Sequence, residues 1–301
     1  MFAKCWDIMR GKKCKLSLRF ASHDKVLKIL KSLKNSRSTS IDELDNYSVK
    51  LSANIIALPL HHIVTLSLMQ GKFPSAWKRS KVIPLHKKGS TLECGNYRPV
   101  AILSPLSKVL EKIVYQQIYE YFTNNKIFDQ SLHGYRGNRS TQTALITMYD
   151  RWVRAACQGQ ISGAVLLDLS AAFDLVDHTL LLKKLQIYGV NQEFLHWIES
   201  YLTDRTQAVW IDHAFSGYLE CNVGVPQGSN LGPLFFLVYF NDLPSNLENP
   251  VDCFADDTTL TATGSSTAGI ETSLNRDCDR VSKWMRENKL KLNAKKRTFQ
   301  K

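Results

Sequence analysis

Apolar residues recur along this chain in two rhythms. Leu106, Val109, Leu110, Ile113, Val114, Tyr121 and Phe122 fall on one face at helical spacing, with Ser104-Pro105 as a start signal and Asn124-Asn125 as a stop. Phe194, Leu195, Ile198, Tyr201 and Leu202 mark another amphipathic helix. A further helix is predicted to start after Ser170, a good N-cap, with Leu175, Val176, Leu180, Leu181 and Leu185 turned inward. Asp174 and Asp177 then fall in its early turns, where negative charge suits the helix dipole, which leaves both out of any metal site. Elsewhere the rhythm changes. Ala164-Val165-Leu166-Leu167 is short, wholly apolar, bounded by Gly163 and ended by Asp168, the pattern of a buried strand that leads a charge to its exposed end. In Cys253-Phe254-Ala255-Asp256-Asp257-Thr258-Thr259-Leu260 the flanks read as two arms of a hairpin with the acidic pair at its tip. Hairpin strands among such helices predict an α+β fold.

Size and composition narrow the class. With 301 residues, 44% of them hydrophobic, the chain can bury a substantial core and is expected to form two structural subdomains. Asn35 to Ser40 reads as a linker after a basic amphipathic segment, Lys25 to Lys34. The longest apolar stretch, Ile55 to Leu68, is broken by Pro59 and by His61-His62 and falls short of the roughly 20 residues a membrane span needs, so no membrane partner is expected. His61 and His62 have no carboxylate or Cys nearby in sequence, which argues against a metal role. The N-terminus lacks the apolar core of a secretion signal. Seven cysteines without a C-x-x-C pair read as reduced thiols of an intracellular protein.

The net charge of +12 is unevenly spread. Residues 1–37 carry eleven Lys/Arg against two Asp/Glu, and residues 78–154 carry thirteen against five. Residues 155–275 reverse this, with three against fourteen, before residues 276–301 return to ten against three. A uniformly basic surface would simply bind polyanions. An acidic centre flanked by basic segments has separate places for metal ions and for phosphates.

Adjacent carboxylates are most often a solvated turn. Here Asp256-Asp257 stands between apolar and β-branched arms, and Asp168 ends a second strand 88 residues earlier. Two strand-borne aspartate sites are what a two-metal phosphoryl-transfer centre needs: hard oxygen ligands shared by a pair of Mg²⁺ ions about 3.5–4 Å apart. Between them, Gly224-Val225-Pro226-Gln227-Gly228-Ser229-Asn230-Leu231-Gly232-Pro233 forms a Gly/Pro-rich loop ahead of the apolar, helical Leu234 to Phe240.

Leu167-Asp168-Leu169-Ser170-Ala171-Ala172-Phe173-Asp174, Val225-Pro226-Gln227-Gly228-Ser229 and Phe254-Ala255-Asp256-Asp257 resemble three successive motifs of the reverse transcriptases of non-LTR retrotransposons, the LINE-like and jockey-like elements. Upstream, Val82 to Gly89, Asn96-Tyr97-Arg98-Pro99-Val100 and His133 to Thr141 resemble that family's fingers motifs. The resemblance covers residues of about 73 to 296 and implies a right-hand polymerase: a basic, helical N-terminal extension over 1–74, fingers over 75–160, and over 161–301 a palm built as an antiparallel sheet with helices on one face. With the chain stopping at Lys301, a thumb is expected to be absent or truncated.

It also implies roles. Asp168 and Asp256 would bind both catalytic Mg²⁺ ions, with Mn²⁺ as a substitute, and Asp257 would support them. Lys87, or Lys88 in its place, and Arg98 would grip the incoming triphosphate. Gln227 would contact the nucleotide sugar, with Gly228 allowing close approach, and Phe173 would close the space a ribose 2′-hydroxyl needs. Its alternative is an ordinary core residue. Tyr135, Arg136 and Arg139 would hold the template. In Leu290 to Thr298 the lysine that protonates pyrophosphate is matched by Lys296 better than by Lys295, although Arg297 interrupts the motif.

The implied activity is RNA-directed DNA synthesis, with an RNA template, a DNA primer or nicked target DNA, and dNTPs as partners. The implied setting is an intracellular ribonucleoprotein of cytoplasm and nucleus. The alternative is a decayed or domesticated fragment that only binds RNA. An RNA-templated RNA polymerase is disfavoured by Phe173.

Overall fold

The computed structural model describes residues 2–293 and 298–300. Its helices are α1 (Ala3–Met9), α2 (His23–Lys31), α3 (Asn46–Leu51), α4 (Ala53–Gln70), α5 (Pro105–Asn124), α6 (Thr141–Cys157), α7 (His178–Ile187), α8 (Gln192–Leu202), α9 (Leu231–Phe240) and α10 (Thr267–Glu287). Its strands are β1 (Arg79–His86), β2 (Tyr97–Ile102), β3 (Ile161–Ser170), β4 (Thr206–Ile211), β5 (Ala214–Phe215), β6 (Leu219–Glu220), β7 (Val251–Phe254), β8 (Asp257–Gly264), β9 (Lys291–Leu292) and β10 (Thr298–Gln300). The fold is α+β. It divides into two compact units, each assembled from separated stretches of chain: one from residues 1–12, 123–188 and 235–301, the other from 13–122 and 189–234. These differ from the contiguous segments suggested by the motifs.

The first unit is organised on an antiparallel sheet of order β10-β3-β8-β7, with β9 also pairing β3. Val165, Leu167 and Leu260 are buried along it, and an aromatic series runs behind: Phe236 stacks on Phe240 at 5.4 Å, and Phe240 meets Trp284 edge-on at 5.3 Å. Lys184 lies fully buried on the apolar face of α7, 2.6 Å from the Asp242 carboxylate and 2.6 Å from the Tyr239 carbonyl. Trp284 donates to the second Asp242 oxygen at 3.1 Å.

The second unit holds a sheet of order β2-β1-β4-β5, with β6 on β4. Here β1 and β2 form an antiparallel hairpin, but β1 and β4 pair in parallel. Parallel partners need a long crossover, and more than a hundred residues of chain separate these two. The core of this unit is aromatic: Phe73 meets Tyr201 at 5.0 Å and Trp197 at 5.8 Å, and Trp197 stacks on Tyr201. Glu111, fully buried on α5, accepts from the backbone N–H groups of Asn230 and Leu231 at the start of α9. An anion there satisfies orphan donors at a helix N-terminus.

Helices α5 and α8 run as their periodicity predicts, α8 capped by Asn191. Two expectations fail. The helix expected after Ser170 begins at His178, because Ala171 turns into the left-handed region (φ 49°) and Asp177 is the cap, accepting from the Leu180 N–H at 2.9 Å. Ser170 closes β3 instead. Nor does Pro59 break the apolar stretch: α4 continues through it for 18 residues, long and apolar enough by length and composition to cross a membrane, with a third of it buried. A proline costs its own N–H bond and crowds the preceding turn. The packing of Ala57, Leu60 and Val64 holds the helix on both sides of it.

Candidate active site

β3 and β8 are antiparallel partners from Ile161↔Gly264 to Asp168↔Asp257, so the register ends with two aspartates directly opposite each other. Asp256 and Ala255 form the two-residue turn that joins β7 to β8, Ala255 at φ 57°. Thus one end of the β3–β8 register carries all three acids. Like charges placed opposite one another destabilise a sheet, so the arrangement costs stability.

The turn is braced from behind. Segment 131–133 lies parallel to β7: Cys253 donates to the Ser131 carbonyl and His133 to the Cys253 carbonyl, both at 2.8 Å. Next comes Gly134, whose missing side chain matters. A Cβ built there would stand 2.4 Å from the Ala255 nitrogen, so only glycine lets the two backbones approach. Under the turn sits a buried polar chain. Arg139 approaches His133 Nδ1 at 3.4 Å, His133 Nε2 lies 3.3 Å from one Asp252 oxygen, and Arg151 pairs with the other. Burial first, then the nearby Arg139, Arg136 and Arg151, pushes the His133 pKa below its ordinary value. The chain is consistent with a neutral ring that accepts from Arg139 and donates to Asp252.

Asp168 is also tied to the segment after α10. Asn293 donates its side-chain amide to the Asp168 carboxylate at 2.8 Å and its backbone N–H to the Asp168 carbonyl at 2.9 Å. Asn293 lies within the same stretch, Leu290 to Thr298, as Lys296, and its bond to Asp168 is a contact across 125 positions that the stretch alone does not announce. Lys296 lies outside the described residues.

Phe173 is half-buried between two rings, stacked on Phe236 at 5.2 Å and met edge-on by Tyr135 at 5.9 Å. It is neither a free gate nor a sealed core residue. Tyr135 is exposed and holds a left-handed backbone, φ 56°. Arg136 turns back on its own loop, donating to the carbonyls of Asp129 and Leu132, and Arg139 donates to the Gln130 carbonyl. Both therefore brace residues 129–133 in this structure.

The other expected residues belong to the second unit. Arg98 stands opposite Leu85 in the β1–β2 hairpin, and the Lys87 N–H bonds the Asn96 carbonyl one step beyond its end. Arg98 shares a face of the hairpin with Leu85, and Lys87 follows just beyond the end of β1. Lys87 and Arg98 are exposed and in no ion pair among the described residues. Lys88 is exposed beside them. The loop carrying Gln227 and Gly228 docks on β2: Ala101 donates to the Gln227 carbonyl at 2.7 Å, and a Cβ on Gly228 would stand 2.3 Å from the Ala101 carbonyl oxygen. The close approach that Gly228 (φ 126°) makes is thus to β2.

Three carboxylates at one end of the β3–β8 register are hard oxygen donors, the chemistry a divalent Mg²⁺ or Mn²⁺ takes. As the side chains stand, no three His, Cys, Asp or Glu groups among the described residues are gathered closely enough to hold one ion. Asp168 is engaged by Asn293, and Asp257 is exposed. The three carboxylates share donor type and one end of the register, while their side chains are not gathered as ligands of one ion.

Comparison with known proteins supplies the family. Residues 85–301 match the model of the reverse transcriptase (RNA-dependent DNA polymerase) family, and the chain belongs to that family. It is 28% identical over 294 residues to the probable RNA-directed DNA polymerase from transposon BS of Drosophila melanogaster, covering 91% of this chain and 31% of the relative. With the RNA-directed DNA polymerase from mobile element jockey of the same species it shares 28% over 290 residues, 93% of this chain and 32% of that protein. A more distant relative is the Pol polyprotein from type-1 retrotransposable element R2 of Popillia japonica, 24% identical over 229 residues, 66% of this chain and 29% of the relative. The chain spans about a third of the length of the BS and jockey relatives. The likeness to jockey-like elements read from the motifs holds.

Proposed function

We propose that this chain catalyses RNA-directed DNA synthesis by two-metal nucleotidyl transfer, adding dNTPs to a primer 3′-hydroxyl on an RNA template. The observation that carries the reading is the β3–β8 register that ends in Asp168 opposite Asp257, with Asp256 in a turn backed by Gly134. Asp168 and Asp256 would hold the metal ions and Asp257 would support them. When bound, the two ions lower the pKa of the primer hydroxyl and neutralise charge on the α-phosphate and departing pyrophosphate.

Residues 75–160 act as fingers and 161–301 as palm, behind the extension over 1–74. Lys87 and Arg98 bind the triphosphate, Gln227 and Gly228 lie along the sugar, and Phe173 excludes a ribose 2′-hydroxyl. Tyr135 stacks on the template, with Arg136 and Arg139 stiffening its loop and meeting phosphates. Lys296 supplies a proton to pyrophosphate. A DNA primer or nicked target DNA completes the substrate, in a ribonucleoprotein that works in cytoplasm and nucleus.

A second reading, an RNA-binding remnant without chemistry, is favoured by the unclustered carboxylates. Primer extension with Mg²⁺ and an RNA template separates the two. Asp168→Asn and Asp256→Asn are each expected to lower extension at least about 100-fold while leaving duplex binding unchanged, because each removes a ligand charge and little surface. Wild-type rates in either variant would remove the two-metal assignment. A wild-type chain that binds RNA but extends nothing even when thumb sequence is supplied would favour the remnant.

A further inference from the structure

Helix α4 has two apolar faces and the fold uses one. Ala53, Ala57, Leu60, Val64, Ser67 and Leu68 are buried, Ser67 accepting from the Trp197 indole at 3.0 Å. On the other side Ile55 is 81% exposed, Leu58 67%, Leu66 39% and Met69 65%, with exposed Leu51 at the end of α3 and Ile63 beside the row. Exposed apolar rows of this length mark a surface that something covers. No Asp, Glu, Lys or Arg lies anywhere in Ala53–Gln70.

The order of the row says what covers it. Ile55 and Met69 each stand seven residues from His62, and Leu58 and Leu66 each stand four from it. At 100° per residue these offsets keep all five positions within about 40° of one line along the helix. The row is therefore symmetric about His62, which is itself exposed. A two-fold interface must be self-complementary, residue i meeting j while j meets i. We propose that α4 pairs antiparallel with α4 of a second copy of this chain, about a two-fold axis at His62, which sets Ile55 against the partner's Met69 and Leu58 against the partner's Leu66.

Size and chemistry agree. The six exposed apolar side chains leave about 600 Å² per copy in solvent, so the pair would cover about 1,200 Å², the lower edge of specific interfaces. An uncharged seam meets no like-charge repulsion when it faces itself. Leu58, Pro59, His61, His62 and Thr65 line a shallow concavity at the centre of the row, a hole for a side chain of the other copy. Lys50 and Lys72 fall at the two ends, where solvent screens them.

Sedimentation of the whole chain at micromolar concentrations tests the pairing, with cysteine cross-linking to fix the register. In a background with exposed Cys94 and Cys157 replaced by serine, His62→Cys should form an oxidised dimer with itself. Ile55→Cys and Met69→Cys should cross-link on mixing, and neither should do so alone. Leu58→Glu, a change on a solvent face, should give a monomer with the thermal unfolding of the parent. A chain monomeric at all concentrations, or a dimer that Leu58→Glu does not dissociate, would overturn the proposal. So would cross-linking of Ile55→Cys with itself, which belongs to a parallel pair. Monomers that bind anionic vesicles through Leu58 would assign the row to a membrane surface instead.

Discussion

The charged groups around the two sheets are held in different ways. In the first, charged groups are buried and paired: Lys184 with Asp242, Arg151 and His133 with Asp252, each within or beside the sheet that bears the three acids. In the second, the cations of the β1–β2 hairpin are half spent on aromatic faces, Lys81 over Trp210 at 3.9 Å and Arg79 over Tyr218 at 4.4 Å, while Lys87 and Arg98 remain in solvent. Buried pairs are costly to form and costlier to break, so they fix geometry. Exposed cations fix little and can change partner. A strand end that must place carboxylates within fractions of an ångström needs the first kind, and a surface that meets a mobile polyphosphate can use the second.

The sharpest break of this contrast is in the first unit. Lys184→Ala leaves the Asp242 carboxylate buried without its ammonium partner, and should cost about 3–5 kcal/mol, read as a fall in the denaturant midpoint. Lys184→Met combined with Asp242→Leu should recover most of that loss, since no lone charge then remains buried. A single variant as stable as the parent would mean that water reaches the pair.

Next in size is Gly134→Ala. The new methyl must displace the Ala255 nitrogen, 2.4 Å from where it would sit, so the turn carrying Asp256 has to move. The expected cost is about 1–3 kcal/mol of stability. Extension activity should fall by more than that destabilisation accounts for, measured well below the unfolding temperature. Equal loss in both would make Gly134 a packing residue with no bearing on the site.

What was legible in the sequence follows from these physics. Period and composition identified β3, the acidic hairpin, α5 and α8, because each buries one face or a short run in a single layer. Where Ser170 and Asp177 both qualify as a cap, the choice falls to the backbone of Ala171, and a left-handed alanine leaves no trace in composition. Lys184 and Glu111 interrupt apolar faces and look like errors of pattern until their partners, distant in sequence, are known. The backing of Asp256 by Gly134 is a contact between residues more than a hundred positions apart, and the motif containing Gly134 suggested template contacts instead.

The polar chain behind the turn gives a smaller, pH-dependent effect. Burial, with Arg139, Arg136 and Arg151 adding to it, holds the His133 pKa below its ordinary 6.5. The unfolded chain therefore binds a proton near pH 6.5 that the folded chain takes up only at lower pH, so stability present above pH 6.5 is lost as the pH falls through the folded value. The parent should lose more stability than His133→Gln between pH 7 and the acid end of that window, compared by thermal unfolding. Parallel pH profiles in the two proteins would mean that His133 titrates alike folded and unfolded.

The smallest effect on folding is expected at Arg98, and its smallness is the point of the comparison. Arg98 is exposed on β2 with no ion pair among the described residues, so Arg98→Ala should change stability by less than about 0.5 kcal/mol. If the hairpin face meets a triphosphate, the same change removes a charge-assisted, forked contact that Lys87 alone cannot replace. The apparent KM for dNTP should then rise and turnover fall, with little change in template affinity. Arg98→Lys should recover part of the KM, because it restores a point charge without the fork. A large loss of template binding with normal dNTP dependence would move Arg98 to the nucleic-acid groove, and the second unit's solvent-facing cations would then serve the strand rather than the nucleotide.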